Sequence, residues 1–167
     1  MSHREHKKDA PKKLKIGVMT ISSTRTLAND KSGEWISNFI KKEGHELVYR
    51  QVIDDDAEAI SNAVMGVIND KIPDALLLTG GTGISPKDVT IEAVSPLFKK
   101  ELAAFGPLFT MLSYEEVFSA AMMSRASAGV IEKTLVFCMP GSLNACKLAC
   151  KSLIFEELGH LVKHVWE

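Results

Sequence analysis

Three short aliphatic runs constrain the fold most. They are Leu14-Lys15-Ile16-Gly17-Val18-Met19-Thr20-Ile21, Asp74-Ala75-Leu76-Leu77-Leu78-Thr79 and Thr134-Leu135-Val136-Phe137-Cys138-Met139. All three have strand length, and the last two are apolar at almost every position. A strand of that kind must be covered on both faces, which is the situation of a parallel sheet between two layers of helix. Each run stops abruptly at a polar or Gly/Pro-rich segment: Ser22 to Lys31, Gly80-Gly81-Thr82-Gly83 through Asp88, and Pro140-Gly141-Ser142.

The intervening sequence has helical periodicity. Ser32-Gly33 opens a pattern in which Trp35, Ile36, Phe39 and Ile40 share a face, with Gly44 as its stop. His45 to Val52 reads as a second strand. Asp54-Asp55-Asp56 then leads into a helix with Ile60, Val64, Val67 and Ile68 on one side, and Asp56 is its expected N-cap. A helix from Asp88 or Thr90 to about Phe98 is expected next. Residues 101–112 are apolar and ambiguous, with Gly106-Pro107 breaking any long helix. Ser113-Tyr114-Glu115-Glu116 has the form of a capping box, predicting a helix to about Ala128 that Gly129 ends. A last helical region covers Leu143 to Val165. The order β-α-β-α-β-α-α-β-α predicts a three-layer α/β/α domain with a mostly parallel sheet. In such sheets ligands bind at the carboxyl edge, from which the loops named above leave.

Composition narrows the function classes. The chain has 167 residues, 46% hydrophobic and 25% charged, consistent with one globular domain. Its net charge of −1 lacks the basic excess of a nucleic-acid-binding domain. The first 13 residues hold five cations against two anions and read as a disordered basic tail, leaving 14–167 as the single domain. No apolar run reaches membrane-spanning length and no signal-peptide core is present, so a cytoplasmic protein is expected. Cys138, Cys146 and Cys150 form no C-x-x-C pair and read as buried free thiols.

The glycine loop is the strongest chemical signal. Glycines admit positive φ and close approach, so consecutive N–H groups can face an anion, and Thr79 and Thr82 add hydroxyls. The loop matches neither a Walker A sequence nor G-x-G-x-x-G, and a tight strand-to-helix turn is the plain alternative. Asp88 suits either a helix N-cap or a carboxylate holding Mg²⁺ beside phosphates. Asp54-Asp55-Asp56 is a denser carboxylate cluster that a surface loop alone would explain. His160 and His164 stand i, i+4, a geometry open to metal, but no third ligand is evident and an exposed helix face is expected. Met122-Met123 after Ala120-Ala121 reads as core or subunit contact.

Thr79-Gly80-Gly81-Thr82-Gly83 with Asp88-Val89-Thr90 resembles the signature of the MoaB/Mog molybdopterin-binding family. The likeness extends from about Lys15 to Ile154. It takes in Ala104-Phe105-Gly106, Met111 through Glu116, Ser124-Arg125-Ala126 and Met139-Pro140-Gly141-Ser142. The resemblance implies a molybdopterin-binding-domain-like fold and a molybdopterin adenylyltransferase of molybdenum or tungsten cofactor biosynthesis. Mg²⁺-ATP would adenylylate the molybdopterin phosphate and release pyrophosphate. By position, Ser22, Thr79, Gly80, Gly81, Thr82, Gly83, Pro140, Gly141 and Ser142 would line the nucleotide and substrate cleft. Asp55 and Asp88 match the family's two functional carboxylates and would position Mg²⁺. The resemblance also implies a homotrimer or homohexamer and a metal-insertion protein as a partner. Ser22-Ser23-Thr24-Arg25 departs from the Ser-Asp-Arg of the Mog branch, which leaves Ser23 and Arg25 without an inherited role. A non-catalytic molybdopterin-binding or scaffold protein, and a flavodoxin-like binder of another phosphorylated ligand, are the rival readings.

Overall fold

The computed structural model describes residues 11–167. Most of the expected basic tail lies outside the described residues. Among these residues six strands form one sheet: β1 (Lys15–Ile21), β2 (Glu46–Ile53), β3 (Ala75–Thr79), β4 (Lys100–Glu101), β5 (Ser127–Ile131) and β6 (Thr134–Met139). Six α-helices accompany them: α1 (Lys31–Lys42), α2 (Ala57–Lys71), α3 (Thr90–Val94), α4 (Phe105–Val117), α5 (Leu143–Ala149) and α6 (Phe155–Trp166). One π-helical turn, Cys150–Ile154, joins α5 to α6 into a nearly continuous rod.

The sheet order is β2-β1-β3-β6-β5-β4. Strands β2, β1, β3 and β6 are mutually parallel, while β5 and β4 add an antiparallel margin. The expected three-layer α/β/α arrangement is therefore present. Alternation along β3 and β6 explains why those runs are apolar throughout. Ala75, Leu77, Leu135, Phe137 and Met139 pack with Ile36 and Ile40 of α1, Phe105 and Phe109 of α4, and Cys146 and Leu158. Leu76, Leu78, Val136 and Cys138 face Ile60, Val64 and Ile68 of α2 and Val94 of α3 on the other side.

Four local expectations need correction. Helix α1 is opened by Asp30, whose carboxylate accepts from Gly33 N, and Ser32 lies inside the first turn. Gly106-Pro107 begins a helix instead of breaking one. In the first turn proline's missing N–H has no intrahelical acceptor to lose. Because the chain is already helical from Phe105, Ser113 is a buried mid-helix residue and no capping box forms. Residues 127–131 are then a strand, not the end of a helix. Ser127–Ile131 pairs antiparallel with β6 through a two-residue turn at Glu132-Lys133. Gly129 lies within that strand, where a Cβ would press into the Phe98 ring.

The strand order reverses between β1 and β3: β2 lies on one side of β1, β3 and β6 on the other. That switch leaves a crevice beyond the carboxyl ends of β1 and β3, bounded by the loop after β6.

Candidate functional site

The crevice holds a cleft of about 370 Å³. Ser22, Thr24 and Arg25 line it from the loop after β1, and Gly80, Gly81, Thr82, Gly83 and Asp88 from the loop after β3. Pro140 and Gly141 come from the loop after β6, and Met123 and Ser124 from the segment before β5.

The glycine loop is held by its carbonyls. Thr90 donates through Oγ1 to Gly80 O at 2.8 Å and through its N–H to Gly81 O at 2.9 Å. Arg125 Nε is 3.0 Å from both Thr82 O and Gly83 O. Gly80 and Gly81 sit at φ +101° and +65°. A Cβ on the first would meet Ile21 O, and on the second Thr90 Oγ1, so only glycine fits. With every carbonyl of the loop engaged on the protein side, the N–H groups of Gly81, Thr82 and Gly83 find no acceptor among the described residues. Three such donors at a cleft wall form a concave site for an anion.

Arg125 is fixed by a bidentate pair with Glu92 of α3, Nη2 to Oε2 at 3.2 Å and Nη1 to Oε1. The hydrogen bonds from Arg125 hold the Glu92 carboxyl below its usual range, and those to Glu92 push Arg125 up. The sequence reading assigns neither residue a role: Arg125 enters it only within the Ser124-Arg125-Ala126 likeness and falls inside an expected helix. Its isolated charge between Ser124 and Ala126, beside a strand-forming Val130-Ile131, is the signal that could have placed it.

The two aspartates differ in position. Asp88 lines the cleft and does not cap α3, whose N-cap is Val89 with no side-chain bond. Instead its Oδ2 accepts from Ser85 N at 2.9 Å, closing the turn beyond the glycines. Asp55 is not among the residues that line the cleft: its Oδ2 accepts from Ser23 N at 2.9 Å and its own N–H donates to Ser23 Oγ at 3.2 Å. Ser23 thereby ties the β2 exit to the β1 exit. Each carboxylate keeps one oxygen with no protein donor among the described residues.

Of the other expected residues, Ser22 shapes the first loop by accepting from the N–H groups of Thr24 and Arg25 at 3.3 and 3.2 Å. Thr79 is fully buried below the cleft floor, donating to Pro140 O at 2.9 Å with Cys146 Sγ 3.0 Å away. It supports the site without facing it. Ser142 caps α5 by accepting from Ala145 N. Arg25 reaches across the cleft, with Nη1 3.2 Å from Gly141 O and 4.0 Å from the buried Asp30 carboxylate. Asp30 is a third residue without a role in the sequence reading. It takes Thr20 Oγ1 and Gly33 N, and faces Arg50 at 3.7 Å. Cys138, Cys146 and Cys150 are free and buried. Burial pushes the Cys138 thiol up to about 12 and raises Cys146 as well.

Residues 17–160 match the family described as "Probable molybdopterin binding domain". The chain is 48% identical to Molybdenum cofactor biosynthesis protein B of Bacillus subtilis (strain 168) over 166 residues, covering 99% of this chain and 98% of that one. A crystal structure of a Molybdenum cofactor biosynthesis protein B superposes with a TM-score of 0.91 at 45% identity, covering 95% and 99% of the two chains. The tungsten cofactor synthesizing protein MoaB from Pyrococcus furiosus superposes with a TM-score of 0.85 at 40% identity, covering 95% and 100%.

Proposed function

The chain belongs to the molybdopterin-binding-domain family, and from that premise we propose that it is a molybdopterin adenylyltransferase of molybdenum or tungsten cofactor biosynthesis. The observation that carries this reading is the set of unengaged N–H groups at Gly81, Thr82 and Gly83 beside a carboxylate, Asp88, in one cleft. A phosphate chain, with several negatively charged acceptor oxygens close together, matches such a set of converging donors.

In the proposed reaction a terminal phosphate oxygen of molybdopterin attacks the α-phosphorus of ATP. One P–O bond forms, the bond to pyrophosphate breaks, and no covalent protein intermediate is needed. The chain's part is to align the two phosphates and to stabilise charge on the α-phosphoryl oxygens. The glycine-loop N–H groups supply fixed donors, and Arg25 places a guanidinium on the opposite wall. Asp88, which lines the cleft, would hold Mg²⁺, with Asp55 on the strand exit bonded to Ser23 as the second carboxylate of the reading. Hard carboxylate oxygens completed by phosphate suit that ion. Mg²⁺ would neutralise part of the triphosphate charge.

The proposal extends to assembly. Met111, Tyr114, Val117, Phe118, Met122 and Met123 form an exposed apolar surface on α4 and the 3₁₀ turn after it. Covering it with further copies supports a homotrimer or homohexamer. Among the described residues no helix is long and apolar enough to cross a membrane, and a cytoplasmic location with a metal-insertion partner completes the reading.

The deciding experiment incubates the purified protein with molybdopterin and Mg²⁺-ATP. Adenylylated molybdopterin and pyrophosphate are expected in equal amounts. Binding of molybdopterin with no product would replace the enzyme by a carrier of the pterin.

A further inference from the structure

One short helix governs the backbone of the whole glycine loop. Helix α3 holds the first two carbonyls directly: Thr90 Oγ1 donates to Gly80 O and Thr90 N–H to Gly81 O. The next two carbonyls, of Thr82 and Gly83, both accept from Arg125 Nε at 3.0 Å. Arg125 comes from the segment just before β5, and its Nη1 and Nη2 close on the carboxylate of Glu92, two residues beyond Thr90 in α3. Thr90 and Glu92 thus anchor four consecutive carbonyls, the second pair through a guanidinium.

Peptide geometry turns this anchoring into a statement about donors. In a trans peptide unit the N–H points opposite to the carbonyl it is joined to. Drawing Thr82 O and Gly83 O onto one donor therefore turns the N–H groups of Gly83 and Ile84 away from Arg125 together, as in an anion-binding nest. Neither N–H has an acceptor among the described residues, and the series ends at Ser85, whose N–H is taken by Asp88. A cationic donor on each carbonyl also polarises the peptide unit and strengthens the N–H on its far side.

The arrangement uses the shape of arginine. Nε meets the carbonyls while the two Nη atoms meet the two carboxylate oxygens, so one rigid plane is fixed from both ends. An ammonium group is a single point and cannot span them. With side chains 36% and 52% exposed, the Arg125–Glu92 pair contributes little to stability as an ion pair. Its charges offset each other, so what it offers a nearby anion is donor orientation more than net attraction.

We propose that Arg125, braced by Glu92, is a positioning residue for phosphate recognition: it aligns the Gly83 and Ile84 N–H groups with a bound phosphoryl group. This rests on the phosphate-binding reading of the cleft and is independent of the adenylylation step.

The test titrates sodium pyrophosphate, the leaving group of the proposed reaction, into the full-length protein. Calorimetry gives the affinity and amide NMR spectroscopy the donors, at a temperature where every variant is folded. Wild type should bind with shifts at the Gly83 and Ile84 amides. Arg125→Lys keeps the charge but should lose at least about tenfold in affinity, the Gly83 and Ile84 resonances moving further than Gly81 and Thr82 in the free protein. Glu92→Gln is the sharper variant. It removes a negative charge near a polyanion, so simple attraction predicts tighter binding, whereas a lost brace predicts weaker binding. No pyrophosphate binding by wild type, wild-type affinity in Arg125→Lys, or tighter binding in Glu92→Gln would each overturn the proposal. So would lowered melting temperatures with unchanged affinity, which would leave the pair a staple between α3 and the β5 segment. Arg125-dependent pyrophosphate binding without adenylylated product would instead remove the enzyme reading and keep the positioning role.

Discussion

Asp88 illustrates how much one carboxylate's partner decides. A capping aspartate and a metal-holding aspartate look alike in sequence. In the structure Asp88 Oδ2 accepts from Ser85 N, and the helix it was expected to cap starts without it. Asparagine can keep that acceptor while losing the charge. Asp88→Asn should therefore preserve the turn and bind AMP within about threefold of wild type. Its turnover should fall about 10²-fold, the scale of losing one electrostatic stabiliser. Parallel calorimetry with AMP and steady-state kinetics check this, and equal losses in both would assign Asp88 a structural role. A second prediction concerns Glu92, whose carboxyl the Arg125 hydrogen bond holds below its ordinary range. A depressed carboxyl contributes stability above its unfolded-state pKa and loses it as pH falls through the folded value. Wild type should thus melt above Glu92→Gln at neutral pH, and the gap should close below about pH 4. Thermal melts across that range measure it.

At the scale of elements, the parallel core and both carboxyl-edge loops flanking the switch are legible in the sequence. Buried strands advertise themselves by continuous apolarity, and Gly80-Gly81 by a backbone no other residue adopts there. The antiparallel margin was not legible. Ser127–Ile131 becomes a strand because β6 offers it an edge, and Ser113 loses its cap because the helix begins eight residues earlier at Phe105. Both are decisions of tertiary pairing over local preference. The same gap hid Arg125, whose role exists only once β5 brings it under the glycine loop. One element end is suboptimal: α2 terminates at Ile72, a β-branched residue in the left-handed region (φ +47°), 70% exposed and followed by Pro73. Ile72→Gly removes that conformational cost and gives up little burial, so it should stabilise the fold by about 1 kcal/mol in urea titration.

The whole molecule is closed to sheet extension at one margin, since β4 has only two residues and both, Lys100 and Glu101, are charged and exposed. The proposed association uses the exposed apolar helical surface around Phe118 and Met122. Phe118→Asp should convert the proposed oligomer into a monomer of 18.3 kDa by light scattering, with the secondary structure intact. The surface also includes Met123, a wall of the cleft, so the same variant should weaken AMP binding. Finally, the three cysteines give the chain an internal chronometer. Cys138, Cys146 and Cys150 are sealed between sheet and helices, with the Cys138 thiol raised to about 12. A thiol reagent can reach them only when the core opens, and the rate of alkylation reports how often the native state lets go.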